Sequence, residues 1–194
     1  MPRLFTAIEL PEAIRDDLDD LSMPLPGARW KDMDELHLTL RFIGDVDNPT
    51  AREFSDLLAN IEVSAFEMRI VGLGTFGGRD PRILWAGVEA GEPLQQLARA
   101  NERAAQNAGV DRARHPFKPH ITLARLKNTD PERLARYLQR RGGFRSEPFY
   151  VTHFTLLSSK PHTGGGPYVV EETFPLFGGG MSEDGDQPDQ GRGY

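Results

Sequence analysis

The 194-residue sequence contains no cysteine. It therefore has no disulfide bond, no thiol nucleophile and no thiolate ligand for a metal ion. No apolar run approaches the roughly 18 residues that a membrane-spanning helix requires. The N-terminal residues show neither the charged region nor the apolar stretch of an export signal. These absences favour a soluble, cytoplasmic protein that has no membrane partner.

Histidine is also scarce, with five residues in the whole chain. The sequence has no His-x-His or His-Glu-x-x-His spacing of the kind that zinc sites use, so we expect neither a metal ion nor a cofactor. The triple glycine at 164–166 is not followed by the Lys-Ser/Thr pair of a phosphate-binding loop. A metal centre and a nucleotide-binding loop are both disfavoured.

Charge is unevenly distributed along the chain, whose formal net charge is −6. Residues 178–194 carry a net charge of −3, which leaves −3 for residues 1–177. This acidic, Gly- and Pro-rich tail has almost no apolar side chains, so we expect it to be disordered. We expect residues 1–177 to form the folded domain. Within that domain, the stretch from Arg112 to Arg125 is basic and suits a phosphate ligand.

Two short phrases repeat in the sequence, His37-Leu38-Thr39-Leu40 and His120-Ile121-Thr122-Leu123. Each lies in a segment that alternates like a β-strand, so its His and Thr share one face, roughly 6–7 Å apart. The residue between them points into the core. If the two strands are neighbours, they present two imidazoles and two hydroxyls in one cleft. A general base, a general acid and hydrogen-bond donors are what phosphate-ester chemistry requires.

The pattern of elements predicts an α+β protein with a duplicated organisation. Strand-like segments lie at 3–10, 36–43, 66–76, 83–88, 120–126, 144–159 and 168–177. Helices are expected to begin near residues 11, 48, 92 and 131. The phrases are 83 residues apart, which fits two repeated units at about 1–80 and 81–177.

Three basic residues near the phrases are candidates for phosphate binding. Arg41 shares the face of His37 if alternation continues, and Lys118 precedes His120 by two residues. Strict alternation places Arg125 on the face opposite His120, so it contributes only if the strand bends after Leu123. Phe5 and Tyr168 are candidates for base stacking, although core packing is the commoner use of such residues.

Several segments resemble the 2H phosphoesterase superfamily, and within it the RNA 2′,3′-cyclic phosphodiesterases, also called 2′-5′ RNA ligases. The matching segments include residues 3–11, 28–30, 36–44, 72–76, 84–88 and 116–125. The resemblance implies a bilobal fold in which two antiparallel sheets flank a central cleft, with the helices outside. It also implies metal-free hydrolysis of a 2′,3′-cyclic phosphate to a 2′-phosphate.

In such an enzyme His37 would be the proton donor and His120 the proton acceptor, with Thr39 and Thr122 binding the phosphoryl oxygens. The substrate would be RNA with a cyclic phosphate end or a small cyclic nucleotide, and we expect a monomer. The sequence itself does not assign the direction of proton transfer, nor whether hydrolysis or ligation matters in the cell. The alternative is a non-catalytic protein that binds RNA ends or nucleotides in the same cleft.

Overall fold

The computed structural model describes residues 3–159 and 168–178. Within these ranges the α-helices are α1 Glu12–Asp19, α2 Asn48–Leu58, α3 Gly91–Asn107 and α4 Pro131–Arg141. The strands are β1 Arg3–Glu9, β2 Ala28–Trp30, β3 His37–Asp45, β4 Phe66–Phe76, β5 Ile83–Glu89, β6 His120–Leu126, β7 Phe149–Val151, β8 His153–Ser159 and β9 Tyr168–Pro175. A 3₁₀ turn, Met33–Glu35, precedes β3. None of the described helices is long and apolar enough to cross a bilayer.

The described strands form one antiparallel sheet in the order β7-β4-β5-β6-β3-β1-β8-β9, with β2 also paired to β6. The predicted α+β class is confirmed. The expected division into two separate sheets is not observed, because β3 and β6 join the halves through the pair Leu38 and Ile121.

The two halves of this sheet do not coincide with the predicted units. β4 belongs to the first predicted unit but pairs with β5 of the second, whereas β8 returns from the second unit to pair with β1. The segment predicted as one strand at 144–159 is also divided, and β7 and β8 pair with different halves of the sheet. β4 and β5 are consecutive and form the hairpin that the turn at 77–81 predicts, so the predicted boundary between units falls inside that hairpin. The pairing of β8 with β1 joins distant segments and is decided by tertiary packing, which a local sequence pattern does not encode.

The helices begin where capping residues are available. Asp47 accepts a hydrogen bond from the backbone of Thr50 at the start of α2, and Asp130 does the same for Arg133 at the start of α4. In both helices a proline stands in the first turn, where its missing N–H costs no hydrogen bond. These local signals explain why the predicted starts near 48 and 131 agree with the structure.

The helices pack on one face of the sheet and form the main core with it. Each helix contributes buried residues to this core, among them Ile14, Phe54, Leu97 and Leu134. Leu38 and Ile121 belong to the same core and are fully buried. Burial of each such side chain contributes about 1.5–3 kcal/mol, so the strands that carry the histidine phrases are fixed from behind. A separate small cluster contains Phe5, Ala7 and Leu157.

The predicted tail at 178–194 lies outside the described residues except for Gly178. Its disorder therefore stays a prediction.

Candidate active site

The two histidine phrases lie side by side in the sheet, as the sequence led us to expect. Leu38 of β3 is paired with Ile121 of β6 in antiparallel orientation. One step from this pair in either direction, the register sets His37 opposite Thr122 and Thr39 opposite His120. Directly opposite side chains in such a ladder have Cβ atoms about 4.5–5.5 Å apart. Two imidazoles and two hydroxyls therefore surround one point on the face that the helices leave uncovered.

His37 is held by aromatic rings, by a hydrogen bond within its own strand and by another to the preceding 3₁₀ turn. The ring centroids of Phe5 and Tyr168 lie 5.1 Å and 5.2 Å from the imidazole centroid. The imidazole Nε2 is 3.1 Å from Thr39 Oγ1, and the backbone carbonyl of Glu35 accepts a further hydrogen bond from the ring. These contacts fix the plane of the imidazole and place the Thr39 hydroxyl beside it.

Burial lowers the pKa of His37 to about 4, although the Glu35 carbonyl opposes this by raising it. The nearby Lys31 ammonium also lowers the pKa of His37 because like charges repel. Lys31 is itself held 2.8 Å from the Glu35 carboxylate. In the free protein at neutral pH, His37 is therefore a neutral imidazole.

His120 is oriented by a comparable backbone contact. Its Nδ1 donates a hydrogen bond of 2.6 Å to the carbonyl of Lys118, which leaves Nε2 as the acceptor nitrogen of the neutral ring. Phe76 meets the imidazole edge to face, with 4.9 Å between the centroids. The Lys118 side chain, a predicted phosphate contact, is exposed, and its backbone carbonyl orients the histidine.

Trp85 completes the wall on this side of the cleft. It is paired directly with Thr122, and its ring centroid lies 5.3 Å from that of Phe76. Gly74 stands opposite Trp85 on β4, and a side chain there would overlap the indole. The glycine thus lets the indole lie across β4 and keep Phe76 against His120.

A β-bulge at Leu123 changes the side of the sheet that Arg125 occupies. Thr122 pairs with Trp85 and Ala124 pairs with Leu84, so Leu123 is the extra residue of β6. Leu123 and Ala124 are consequently both buried, and Arg125 is exposed on the face of His120. Strict alternation had placed Arg125 on the opposite face, and the structure supplies the bend that its predicted role requires.

A second bulge at Leu40 moves Arg41 away from the site. Thr39 pairs with Ala7 and Arg41 pairs with Thr6, so Leu40 is the extra residue of β3. The expectation that Arg41 shares the face of His37 is wrong for this reason. Its Nε lies 2.6 Å from a carboxylate oxygen of Glu102 on α3, and its guanidinium also donates to the carbonyl of Asp111.

The same bulge brings Phe42 to the open face. Strict alternation along β3 would place Phe42 on the face of the buried Leu38, but its side chain is 53% exposed. It pairs across the ladder with Phe5, which contacts His37. In both phrases the bulge falls on the final leucine, so Phe42 and Arg125 occupy equivalent places, five residues after each histidine. No pattern of apolar residues marks Phe42 as part of the site.

Within 3–159 and 168–178, no group of three or more His, Asp or Glu side chains is arranged to hold a metal ion. That the protein works without a cofactor stays a prediction.

Both histidine phrases lie within a segment that matches a known protein family. The model of the 2′-5′ RNA ligase superfamily matches residues 10–163. The chain belongs to that superfamily. The resemblance to 2H phosphoesterases is thereby confirmed.

Relatives of this superfamily member include two proteins named RNA 2′,3′-cyclic phosphodiesterase. The one from Thermus thermophilus is 35% identical over 98% of this chain and 96% of its own length. The one from Geobacillus stearothermophilus is 33% identical over 88% of this chain, which spans about half, 54%, of that protein. A crystal structure of E. coli LigT complexed with 3′-AMP superposes with a TM-score of 0.75 at 30% identity, covering 91% of this chain and 99% of LigT.

Proposed function

We propose that this protein hydrolyses the terminal 2′,3′-cyclic phosphate of RNA and leaves a 2′-phosphate. The observation that carries the proposal is the pairing of Leu38 with Ile121, which assembles two imidazoles and two hydroxyls on one open face. The names of the relatives from Thermus thermophilus and Geobacillus stearothermophilus support this substrate class.

In the proposed reaction, the neutral imidazole of His120 takes a proton from water while the water oxygen attacks phosphorus. The bond between phosphorus and the ribose O3′ breaks, and the imidazolium of His37 donates a proton to that oxygen. The products are a 2′-phosphate and a free 3′-hydroxyl. Each proton transfer of this kind contributes typically about 10²–10⁴ to the rate.

The Lys118 carbonyl prepares His120 for this role because it holds the proton on Nδ1 and leaves Nε2 free to accept another. His37 must acquire its proton when substrate binds. The negative charge of the phosphate favours the protonated imidazole and offsets the burial that lowers the pKa of His37 in the free protein.

The remaining groups on this face bind the substrate. The hydroxyls of Thr39 and Thr122 donate hydrogen bonds to the non-bridging phosphoryl oxygens as charge develops there. Arg125 supplies positive charge, and the exposed ring of Phe42 is open to stacking on a base. Phe5 is only 4% exposed and packs on His37, so we assign it to packing. The same groups catalyse 2′-5′ ligation when the 5′-hydroxyl of a second RNA replaces water as the nucleophile. His120 takes the proton of that hydroxyl, the 5′ oxygen bonds to phosphorus, the bond to O3′ breaks with a proton from His37, and a 2′,5′-phosphodiester results.

The test is turnover of an oligoribonucleotide ending in a 2′,3′-cyclic phosphate, assayed in EDTA so that turnover also supports metal independence. We expect His37→Ala and His120→Ala each to lose at least about 10² in kcat because each removes one proton transfer. His115→Ala, which alters an exposed loop histidine, is the matched control and should keep full activity.

Full activity in either His37→Ala or His120→Ala would overturn the assigned roles. Binding of the oligoribonucleotide by the unmodified protein without turnover would favour the alternative, a non-catalytic RNA-end-binding protein. A requirement for an added divalent metal ion would contradict the metal-free mechanism.

A further inference from the structure

Two arginines face each other across the ladder between β2 and β6. Arg29 pairs directly with Arg125, so both side chains leave the same face of the sheet. The flanking residues Ala28 and Trp30 pack against the main core, which confirms that the arginines point the other way. Arg125 shares the face of His120 because of the Leu123 bulge. Arg29 therefore lies on the open face as well.

Like charges placed directly opposite each other destabilise a sheet unless something neutralises them. Arg29 and Arg125 are both exposed, and in the described part of the chain neither guanidinium makes a side-chain hydrogen bond or an ion pair. Arg29 influences the carboxylate of Glu35, but that group is already bound by Lys31 and by the backbone of Asp32.

Some exposed arginines have carboxylate partners, such as Arg3 with Asp45 and Arg99 with Glu92, and others, such as Arg103, have none in the described part of the chain. What distinguishes Arg29 and Arg125 is that two unpaired guanidinium groups face each other across one ladder. This arrangement favours an anion from outside the chain.

The position of the pair relates it to the phosphate site. Ile121, the centre of the two phrases, pairs with Ala86, and Arg125 pairs with Ile83, so three ladder steps, roughly 10 Å, separate the Cα atoms of Ile121 and Arg125. Arg29 lies opposite Arg125 at the same level of the sheet. The backbone positions of both arginines are therefore set to one side of the phosphate between His37 and His120, in reach of a neighbouring phosphate of the same polynucleotide.

We infer that Arg29 and Arg125 bind the phosphodiester that precedes the terminal nucleotide. This inference rests on the proposed function and makes it more specific, because it selects an RNA chain over a cyclic mononucleotide. Paired guanidinium groups suit this ligand, since each donates charge-assisted hydrogen bonds to phosphate oxygens. Arg29 acts as a positioning residue outside the reacting atoms.

The kinetic test compares adenosine 2′,3′-cyclic phosphate with an oligoribonucleotide that carries the same terminal group. For Arg29→Gln we expect the KM of the oligoribonucleotide to rise about tenfold, the equivalent of about 1.4 kcal/mol. We expect kcat to stay within about twofold and the mononucleotide kinetics to be unchanged. Arg103→Gln, which removes the same charge from an exposed position on α3, is the matched control.

A binding measurement separates failure of this inference from failure of the proposed function. A fluorescent oligoribonucleotide ending in an uncleavable 2′-phosphate is titrated at several salt concentrations. Loss of one phosphate contact in Arg29→Gln should reduce the slope of log K against log salt by about 0.7. If cyclic phosphate is not hydrolysed but the slope falls, the subsite stands without the activity. If KM, Kd and slope match those of Arg103→Gln, the subsite is overturned whatever the activity.

Discussion

At the scale of single residues, His37 combines a proposed role as proton donor with an environment that opposes its charge. Phe5 and Tyr168 pack against the imidazole, and burial lowers the pKa of His37 to about 4. A proton donor must carry a proton at the working pH. The assigned role therefore depends on the phosphate to restore the charged form.

This dependence is measurable by NMR titration of the histidine side chains. In the free protein we expect His37 to titrate near pH 4. With 3′-AMP bound, the pKa of His37 should rise by about one to three units because the anion stabilises the imidazolium. The exposed His115 serves as the internal control. If His37 titrates at the same pH with and without 3′-AMP, the donor role does not belong to it.

The sequence predicted which face of the sheet carries the four central side chains, but not the faces of the residues that follow them. His37, Thr39, His120 and Thr122 follow from strand alternation because no irregularity occurs within either phrase. Arg41, Phe42 and Arg125 lie beyond a bulge, where a single extra residue reverses every later side chain. A bulge depends on the neighbouring strand, so the alternation of one segment does not reveal it.

At the scale of elements, the Leu40 bulge turns Arg41, which was predicted to bind phosphate, towards α3. Arg41 therefore links β3 to this helix. Arg41 is only 11% exposed and its partner Glu102 on α3 is 24% exposed, so solvent screens the pair weakly. The ion pair ties β3 to α3 on the side of the sheet opposite the cleft.

We expect Arg41→Gln to lower the free energy of unfolding by about 1–3 kcal/mol, since Glu102 is left half-buried without its cation. Urea denaturation measures this change. A double-mutant cycle with Glu102→Gln isolates the pair, and the two single losses should not add. A large rise in KM with unchanged stability would instead show that Arg41 binds the substrate.

At the scale of the whole molecule, one sheet carries both halves of the site. The order of helices and strands was readable from periodicity and capping residues, for example Asp47 and Asp130. The pairing of β8 with β1 was not readable, because these strands lie far apart in sequence, whereas β4 and β5 follow each other across the turn at 77–81 and form a hairpin that the local pattern predicts. The pairing of strands that are distant in sequence depends on how the whole core packs.

The charge of the whole chain gives a prediction for the C-terminal residues. Every residue assigned to the site lies within the described ranges, so removal of residues 179–194 should leave kcat unchanged. It also removes a net charge of −3 from a chain of net charge −6. We therefore expect KM for an RNA substrate to fall modestly at low salt and to equal that of the full chain at high salt. A large loss of kcat would assign these residues to the site.

The pairing of Leu38 with Ile121 has a consequence for how the substrate is oriented. Rotation by half a turn about that point exchanges His37 with His120 and Thr39 with Thr122, so these four side chains treat both directions of the ester alike. A nucleotide has two different ends, so its orientation in the cleft must be set by side chains that differ between the two positions related by the rotation. Phe42 and Arg125 occupy equivalent positions in the two phrases but differ in chemistry, since one is aromatic and the other is cationic. We therefore expect the orientation of the substrate, and with it the roles of general acid and general base, to be set at the rim of the cleft, where the nucleobase and the RNA chain would bind.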